Sequence, residues 1–356
     1  MCIRDRSTIG YDALRAEQAD RRDRGDVVEL GIGIATYHHM TVGGGSEEAI
    51  VRLDADGRFT VFTGTTSQGH GHDATWAQLA ADILGVDVGD IEVLEGSTEH
   101  TPTGVGAVGS RSMQTAGVAI TISAERLVGQ AADVAAAMLE AAPGDVGLVK
   151  DESGAGFSVA GVPAKRVTWE AIAQALEVGE VGGYSELTCG EVHDVGDNNS
   201  FPSGCHVAVV EVDTETGDVS VIRFAGFDDA GVRVNPMIVE GQIHGGVAAG
   251  IGQVLGETMR YDEWGNPVTI NFADYGIVTA DQLPFFDMGA TETPTSFNAI
   301  GAKGVGESGG IGAGPAVHNA IIDALAPFGV RHLDMPCTPD RVWRAMNGHS
   351  GTAGTV

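Results

Sequence analysis

The sequence predicts an α+β protein built as two lobes of β-hairpins and sheets packed with helices. Three observations predict it. Two stretches, EEAIVRLDADGRFTVFTG (Glu47–Gly64) and HVAVVEVDTETGDVSVIRFAG (His206–Gly226), alternate apolar and polar residues around Gly-containing turns, the pattern of β-hairpins. Each leads through a polar loop into a helical pattern: TTSQGHGHD before ATWAQLAADILG, and FDDAGVRVNP before MIVEGQIHGGVAAGIGQVL. That is the form of a degenerate internal duplication. The chain has 356 residues, 43% of them hydrophobic, enough for two lobes with buried cores.

The remaining elements follow in order. MCIRDRS (Met1–Ser7) has no amphipathic period and is expected to be a non-native N-terminal scar on a truncated reading frame. Residues 27–200 are expected to form the first lobe. Within it, IEVLEG (Ile91–Gly96) reads as a strand, and Ser112 to about Ala142, rich in alanine, as a long helix. The Gly-rich stretch Val146–Ser200 is expected to link the lobes and carry a small sheet, with WEAIAQALE (Trp169–Glu177) as a short helix. Residues 201–346 are expected to form the second lobe, with a helix over Pro315–Leu325. Its last helix is TPDRVWRAM, with Thr338 as N-cap and Pro339 at the first helical position. Residues 347–356 read as a disordered tail.

Composition excludes several classes. The formal net charge is −29, and lysine occurs only at Lys150, Lys165 and Lys303. Such a surface repels phosphate backbones, so no nucleic-acid partner is expected. No apolar run approaches the roughly 20 residues of a membrane span. No signal-peptide core is present, so a soluble, cytoplasmic protein is expected. Cys2, Cys189, Cys205 and Cys337 form no CxxC pair, so they are expected to be structural thiols and not iron–sulfur ligands.

Three Gly-rich loops stand before helices: Thr65–Asp73, Thr103–Ser112 and Lys303–Pro315. A helix N-terminus offers unpaired N–H groups and the positive end of a dipole. Glycine lets a ligand approach the backbone. Together the loops suit a large anionic cofactor touched from several sides; the alternative is ordinary turns in a chain with 53 glycines. No loop is a Walker A or Rossmann motif, although GVGESGGIG and GIGIATYHH are near-misses. His70 and His72 lie two apart, but no third ligand at a known spacing joins them from His38, His39 or His244, so no metal site is expected. His206 and His318 read as structural. Ser308 in GESGG lacks a placeable base. Glu307 stands alone among glycines. In a buried site it would act as a base near neutral pH; the alternative is a solvent-exposed loop glutamate.

With these pieces in place, the sequence resembles a family. GAKGVGESGGIGAGPAVHNAIIDALAPFGVRHLDMPCTPDRVWRAM, DDAGVRVNPMIVEGQIHGGVAAGIGQ and GTTSQGHGHDATWAQLAADILGV resemble the signature segments of molybdenum hydroxylase large subunits, the xanthine dehydrogenase and aldehyde oxidase family. The wording is nearest the aerobic carbon monoxide dehydrogenase large-subunit branch, and the likeness runs from about Gly31 to Met346. The resemblance implies the two-lobed molybdenum-cofactor-binding domain of that family. It implies molybdopterin cytosine dinucleotide as cofactor, and oxidation of CO, an aldehyde or an N-heterocycle with water-derived oxygen. Iron–sulfur clusters and FAD would sit on other domains or subunits, in a dimer of heterotrimers.

It also implies site residues. Glu307 occupies the place of the base that activates the metal-bound hydroxyl. Gln68, Gly69, His70 and Gly71 would contact the pterin and the oxo ligands. Gly106, Ala107, Gly109, Ser110, Arg111 and Ser112 would cradle the pterin and pyrophosphate, and Lys303, Gly304, Val305 and Gly306 would complete the pocket. Two departures stand out. His70 takes the place of the family's usual glutamine, with Gln68 two residues earlier, and either is a candidate donor to an oxo ligand. The segment carrying the substrate-selecting loop, whose cysteine holds copper in true carbon monoxide dehydrogenases, is absent. The chain therefore reads as the second molybdenum-binding domain of a longer subunit, inactive as an isolated fragment. The alternative is a non-catalytic half-subunit or assembly module completed by a separate chain.

Overall fold

The computed structural model of the chain describes residues 2–348 apart from 42, 43, 102, 153 and 197. Most of the expected tail, from 349 on, lies outside the described residues. Two helices, α1 (Cys2–Ile9) and α2 (Tyr11–Arg24), lead into strand β1 (Val28–His38). Next come β2 (Ser46–Leu53), β3 (Phe59–Thr63), α3 (His72–Leu84), β4 (Ile91–Glu95) and α4 (Val118–Leu139). A three-stranded unit follows: β5 (Val146–Asp151), β6 (Gly154–Val159) and β7 (Val162–Thr168), with α5 (Trp169–Val178) after it. The chain continues through β8 (Thr188–Asp194), β9 (Ser203–Asp213), β10 (Val219–Asp229), α6 (Pro236–Leu255), the single turn α7 (Phe272–Tyr275), β11 (Phe286–Thr291), α8 (Ser308–Ala324) and α9 (Pro339–Met346).

The two four-stranded sheets are built alike. One runs β4-β3-β2-β8 and the other β11-β10-β9-β1. In each, a hairpin (β2–β3 or β9–β10) pairs antiparallel, and the strand after the next helix (β4 or β11) returns parallel to the second hairpin strand. A later helix packs across the first hairpin strand and the outer fourth strand, α4 on β2 and β8, α8 on β1 and β9. The duplication seen as hairpin, loop and helix thus extends to strand order and to a second helix. Residues 46–139 are repeat A and residues 203–324 are repeat B.

The fourth strands are exchanged. β1 leads into repeat A yet pairs along its whole length with β9 of repeat B, from Val28 opposite Asp213 to His38 opposite Ser203. β8 leads into repeat B yet pairs with β2 of repeat A. A division at 200/201 therefore does not follow the sheets: the strand at 28–38 lies in the sheet of the later segment. Its burial shows why. Leu30 and Ile32 join Val207, Val209 and Ala225 in one core cluster, so the strand's apolar face is satisfied only beside β9.

Of Met1–Ser7, set aside as non-native, Cys2–Ser7 fall within α1 and Met1 lies outside the described residues; Ile9 at the end of that helix is fully buried in the same cluster. The next helix, α2, docks through polar groups. Arg15 pairs with Asp323 at 2.6 Å, Arg21 with Glu211 at 2.8 Å, and the Gln18 amide donates to the Leu30 carbonyl at 2.6 Å.

Helix α8 begins at Ser308, not at Pro315. Most of the glycines read as a flexible loop are helical, because α8 is packed too closely for side chains. A Cβ at Gly309 would overlap the backbone of α6, and one at Gly312 would overlap the His206 ring. Gly31 and Gly33 of the near-miss GIGIATYHH do the same from the other side: a Cβ at either would overlap a carbonyl oxygen of α8, at Ala320 or Ala316. Each helical glycine costs about 0.5–1 kcal/mol relative to alanine, which this close packing offsets. Repeat A instead fills its core with large side chains, among them Trp76, Phe59, Leu84, Ile120 and Leu127. No described helix is long and apolar enough to cross a membrane.

Candidate cofactor cleft

The cleft lies between the repeats, and the equivalent loops of both line it. Repeat A contributes His70 and His72 before α3, and Ala107–Met113 before α4, with only Arg111 of that run turned away. Repeat B contributes Ala230, Val232, Val234 and Asn235 before α6, and Ala302 with Gly304–Glu307 before α8. The enclosed volume is about 260 Å³. Four helical starts border it: His72 opens α3, Asn235 caps α6, Glu307 precedes α8, and Ser112 precedes a π-helical turn, Met113–Gly117, that runs into α4.

The loops before α4 and α8 touch through one clasp. Ser110 Oγ donates to Glu307 Oε2 at 2.7 Å and accepts from the Glu307 N–H at 3.2 Å. Ser110 has φ of +56°, a left-handed conformation uncommon for a residue with a side chain and often found at functional sites. Its carbonyl oxygen lies where a Cβ on residue 304 would be, so only glycine fits there. Gly306 differs: a Cβ there would meet nothing closer than Ser110 Oγ at 3.6 Å, so its backbone is open to the cleft.

The two expected cations are committed elsewhere. Arg111 is buried, donates to Glu47 Oε1 at 2.6 Å and to the Gly44 carbonyl at 2.7 Å, and does not line the cleft. The same Glu47 oxygen accepts the Val105 and Gly106 N–H groups at 2.8 and 2.9 Å, so this pair pins the loop. Lys303 pairs with buried Asp229 at 3.2 Å. Burial opposes ionisation of Asp229, but hydrogen bonds from Thr293, the Gly231 N–H and Lys303 outweigh it and hold its carboxyl below the usual range. Any anion here is therefore met by helix ends and bare backbone rather than by these side-chain cations.

Of the residues expected at the cofactor, His70, Ala107, Gly109, Ser110, Ser112, Gly304, Val305, Gly306 and Glu307 line the cleft. Gln68, Gly69, Gly71, Gly106, Arg111 and Lys303 do not. Between the two candidates for the family's glutamine position, the cleft takes His70 and not Gln68. The His70 and His72 rings lie tilted by 33° with centroids 4.1 Å apart, and His72 lies against Trp76 at 4.9 Å. Burial, then the neighbouring His70, pushes His72 down to about 4, so it stays neutral at physiological pH. Among the described residues no group of three or more His, Cys, Asp or Glu is placed to hold a metal. Glu307 is 52% exposed, so this chain alone does not supply the burial on which its role as a base was conditioned.

Sequence reasoning missed the groups behind Glu307. The Tyr37 hydroxyl donates to Asp228, and His206 Nε2 lies 3.0 Å from the same carboxylate, all three from neighbouring strands. Burial first, and then Asp228, push the Tyr37 hydroxyl far above its ordinary range. His39 Nε2 lies 3.2 Å from Glu307 Oε2. The one available signal was period-two alternation, which puts Tyr37 and His39 on one face of the β1 strand and its extension.

Comparison with known proteins agrees with this geometry. Residues 5–284 match a family described as the molybdopterin cofactor-binding domain. The chain belongs to that family. The carbon monoxide dehydrogenase large chain of Hydrogenophaga pseudoflava is 38% identical over 96% of this chain and 44% of its own length. The nicotine 6-hydroxylase large subunit of Paenarthrobacter nicotinovorans is 37% identical over 96% of this chain and 43% of its own length. The crystal structure of a Cu,Mo-CO dehydrogenase superimposes with a TM-score of 0.88 at 35% identity, over 98% of this chain and 45% of that one. The chain thus spans less than half the length of these relatives.

The residues present fit a molybdopterin-type group. Backbone at Gly306 is open to the cleft, and four helical starts border it. Such a donor set suits a large ligand with phosphate and polar pterin edges.

Proposed function

We propose that this chain forms the molybdopterin-binding part of a molybdenum hydroxylase active site, with Glu307 as its general base. When bound, molybdopterin cytosine dinucleotide supplies the oxygen-transfer and redox chemistry. Helix starts and the glycine backbone at 304–306 hold and orient the group. Glu307 removes a proton from the water-derived oxygen that is delivered to substrate. Iron–sulfur and FAD subunits, in a dimer of heterotrimers in the cytoplasm, carry the electrons away. The substrate is CO, an aldehyde or an N-heterocycle; near-equal identity to a carbon monoxide dehydrogenase and to a nicotine hydroxylase leaves that choice to the part of the protein outside this chain.

One observation carries the reading: Glu307 stands at the cleft with one carboxylate oxygen held by Ser110 and the other without a hydrogen bond among the described residues. The test is Glu307→Gln with molybdenum analysis and steady-state kinetics. The reading predicts unchanged molybdenum content and a loss of turnover of about 100- to 10,000-fold. Normal content with undiminished turnover would remove Glu307 from the mechanism.

A further inference from the structure

Glu307 is held from two sides. Its Oε2 atom accepts from Ser110 and also lies 3.2 Å from His39 Nε2. His39 follows β1, its N–H donates to the Pro202 carbonyl at 3.0 Å, and its side chain is only 17% exposed. Its Nε2 atom is buried and off the line of a straight hydrogen bond. A buried imidazole nitrogen without a hydrogen bond is costly unless a charge compensates it. Here the adjacent charge is the Glu307 carboxylate.

We propose that His39 is a positioning residue for Glu307: with Ser110 it fixes Oε2, and it thereby leaves Oε1 as the atom that takes the proton. The O–H bond forms at Oε1, and the electron pair stays on the donor oxygen. Oε2 keeps its two neighbours throughout, so the carboxylate does not rotate when it is protonated. A hydrogen on Nε2 serves this role in both the neutral and the cationic imidazole.

The surroundings limit what else His39 could answer to. Two residues earlier on β1, Tyr37 donates to Asp228 of β10. His206 of β9 shares that carboxylate at 3.0 Å. Asp229 of β10 is occupied by Lys303 at 3.2 Å. From the loop before α4 comes the uncharged Ser110. Glu307, at the start of α8, is the acid paired with His39.

This inference deepens the general-base reading but is measured without the cofactor. The experiment is NMR of the histidine ring resonances in the 356-residue chain, with His39 assigned through His39→Gln. It is run on the unsubstituted protein and on Glu307→Gln, with backbone spectra confirming that both are folded. The proposal predicts that Glu307→Gln displaces the His39 ring resonances and leaves those of the distant His332 in place. Unmoved His39 resonances in a folded variant overturn it. In the cofactor-loaded enzyme, His39→Gln is expected to displace the pH–rate profile and lower kcat with KM unchanged; an unaltered profile also overturns it. If Glu307→Gln retains full turnover while the His39 resonances still move, the base reading falls and the His39–Glu307 contact stands.

Discussion

Repeats A and B share a strand order but solve one problem differently. Each must hold a Gly-rich loop at the cleft, and each does so with a buried cation–carboxylate pair, Arg111–Glu47 in A and Lys303–Asp229 in B. In A both partners are sealed, at 1% and 0% exposure; in B the lysine keeps 11%. The helices differ as well. Large side chains fill the core around α4, while α8 presents glycines to α6 and His206 and takes those of β1 against its own backbone. The connection before the parallel strand is residues 85–90 in A and 256–285 in B, where Trp264, Ile270, Phe272 and Phe285 are exposed. The lesson is that the fold is duplicated and the chemistry is not. One repeat supplies a rigid wall with a seryl clasp, the other a thin helix that brings a carboxylate to the cleft.

The largest expected effect separates the two anchors. Glu47→Gln leaves the Arg111 charge buried without its ion pair and should cost about 3–5 kcal/mol in urea unfolding. Asp229→Asn, whose lysine partner can reach solvent, should cost about 1–3 kcal/mol. Equal losses would break the distinction between a sealed and a vented anchor.

Next is a pH effect confined to repeat A. His72 is held at about 4, well below the ordinary histidine value of 6.5, so the unfolded chain binds more protons than the folded one between those limits. Stability from this residue is complete above pH 6.5 and declines as pH falls towards 4, by at most about 3 kcal/mol. Thermal melts of His72→Gln across that window should show a flatter pH dependence than the unsubstituted protein.

The exchanged outer strands give a smaller contrast. Gly33→Ala in β1 would force a Cβ into the Ala316 carbonyl and should cost about 1–3 kcal/mol. Gly190→Ala in β8 would meet Ile50 at 3.3 Å, a flexible side chain that can yield, and should cost less than about 1 kcal/mol. Smallest is the cap of α6. Asn235 accepts from the Ile238 N–H at 3.1 Å, and Asn235→Ala should cost about 1 kcal/mol, whereas α3 starts at Gly71 with no side-chain cap to lose.

The hairpins, the helix after each and the duplication were legible because alternation and helical period are local signals. The exchange of β1 and β8 was not, because strand pairing across 136 to 185 residues leaves no mark in either strand's own pattern. The α8 start was misplaced for a related reason: glycine reads as flexibility locally, yet here it permits close helix packing. At the site, motif wording led to Glu307 and the loop backbones. It also led to Arg111 and Lys303, whose partners Glu47 and Asp229 lie far away in sequence and divert both cations from the cleft. Tyr37 and His39 closed the near-miss GIGIATYHH, and nothing in its wording tied them to Glu307.

The central claim is that the cleft between the repeats holds the cofactor. Gly306→Val tests it most directly, since Gly306 lines the cleft and a Cβ there meets nothing closer than 3.6 Å. The account predicts that molybdenum and pterin are lost from the purified protein while its thermal melt is unchanged. Full molybdenum and pterin content in a folded Gly306→Val protein would contradict it.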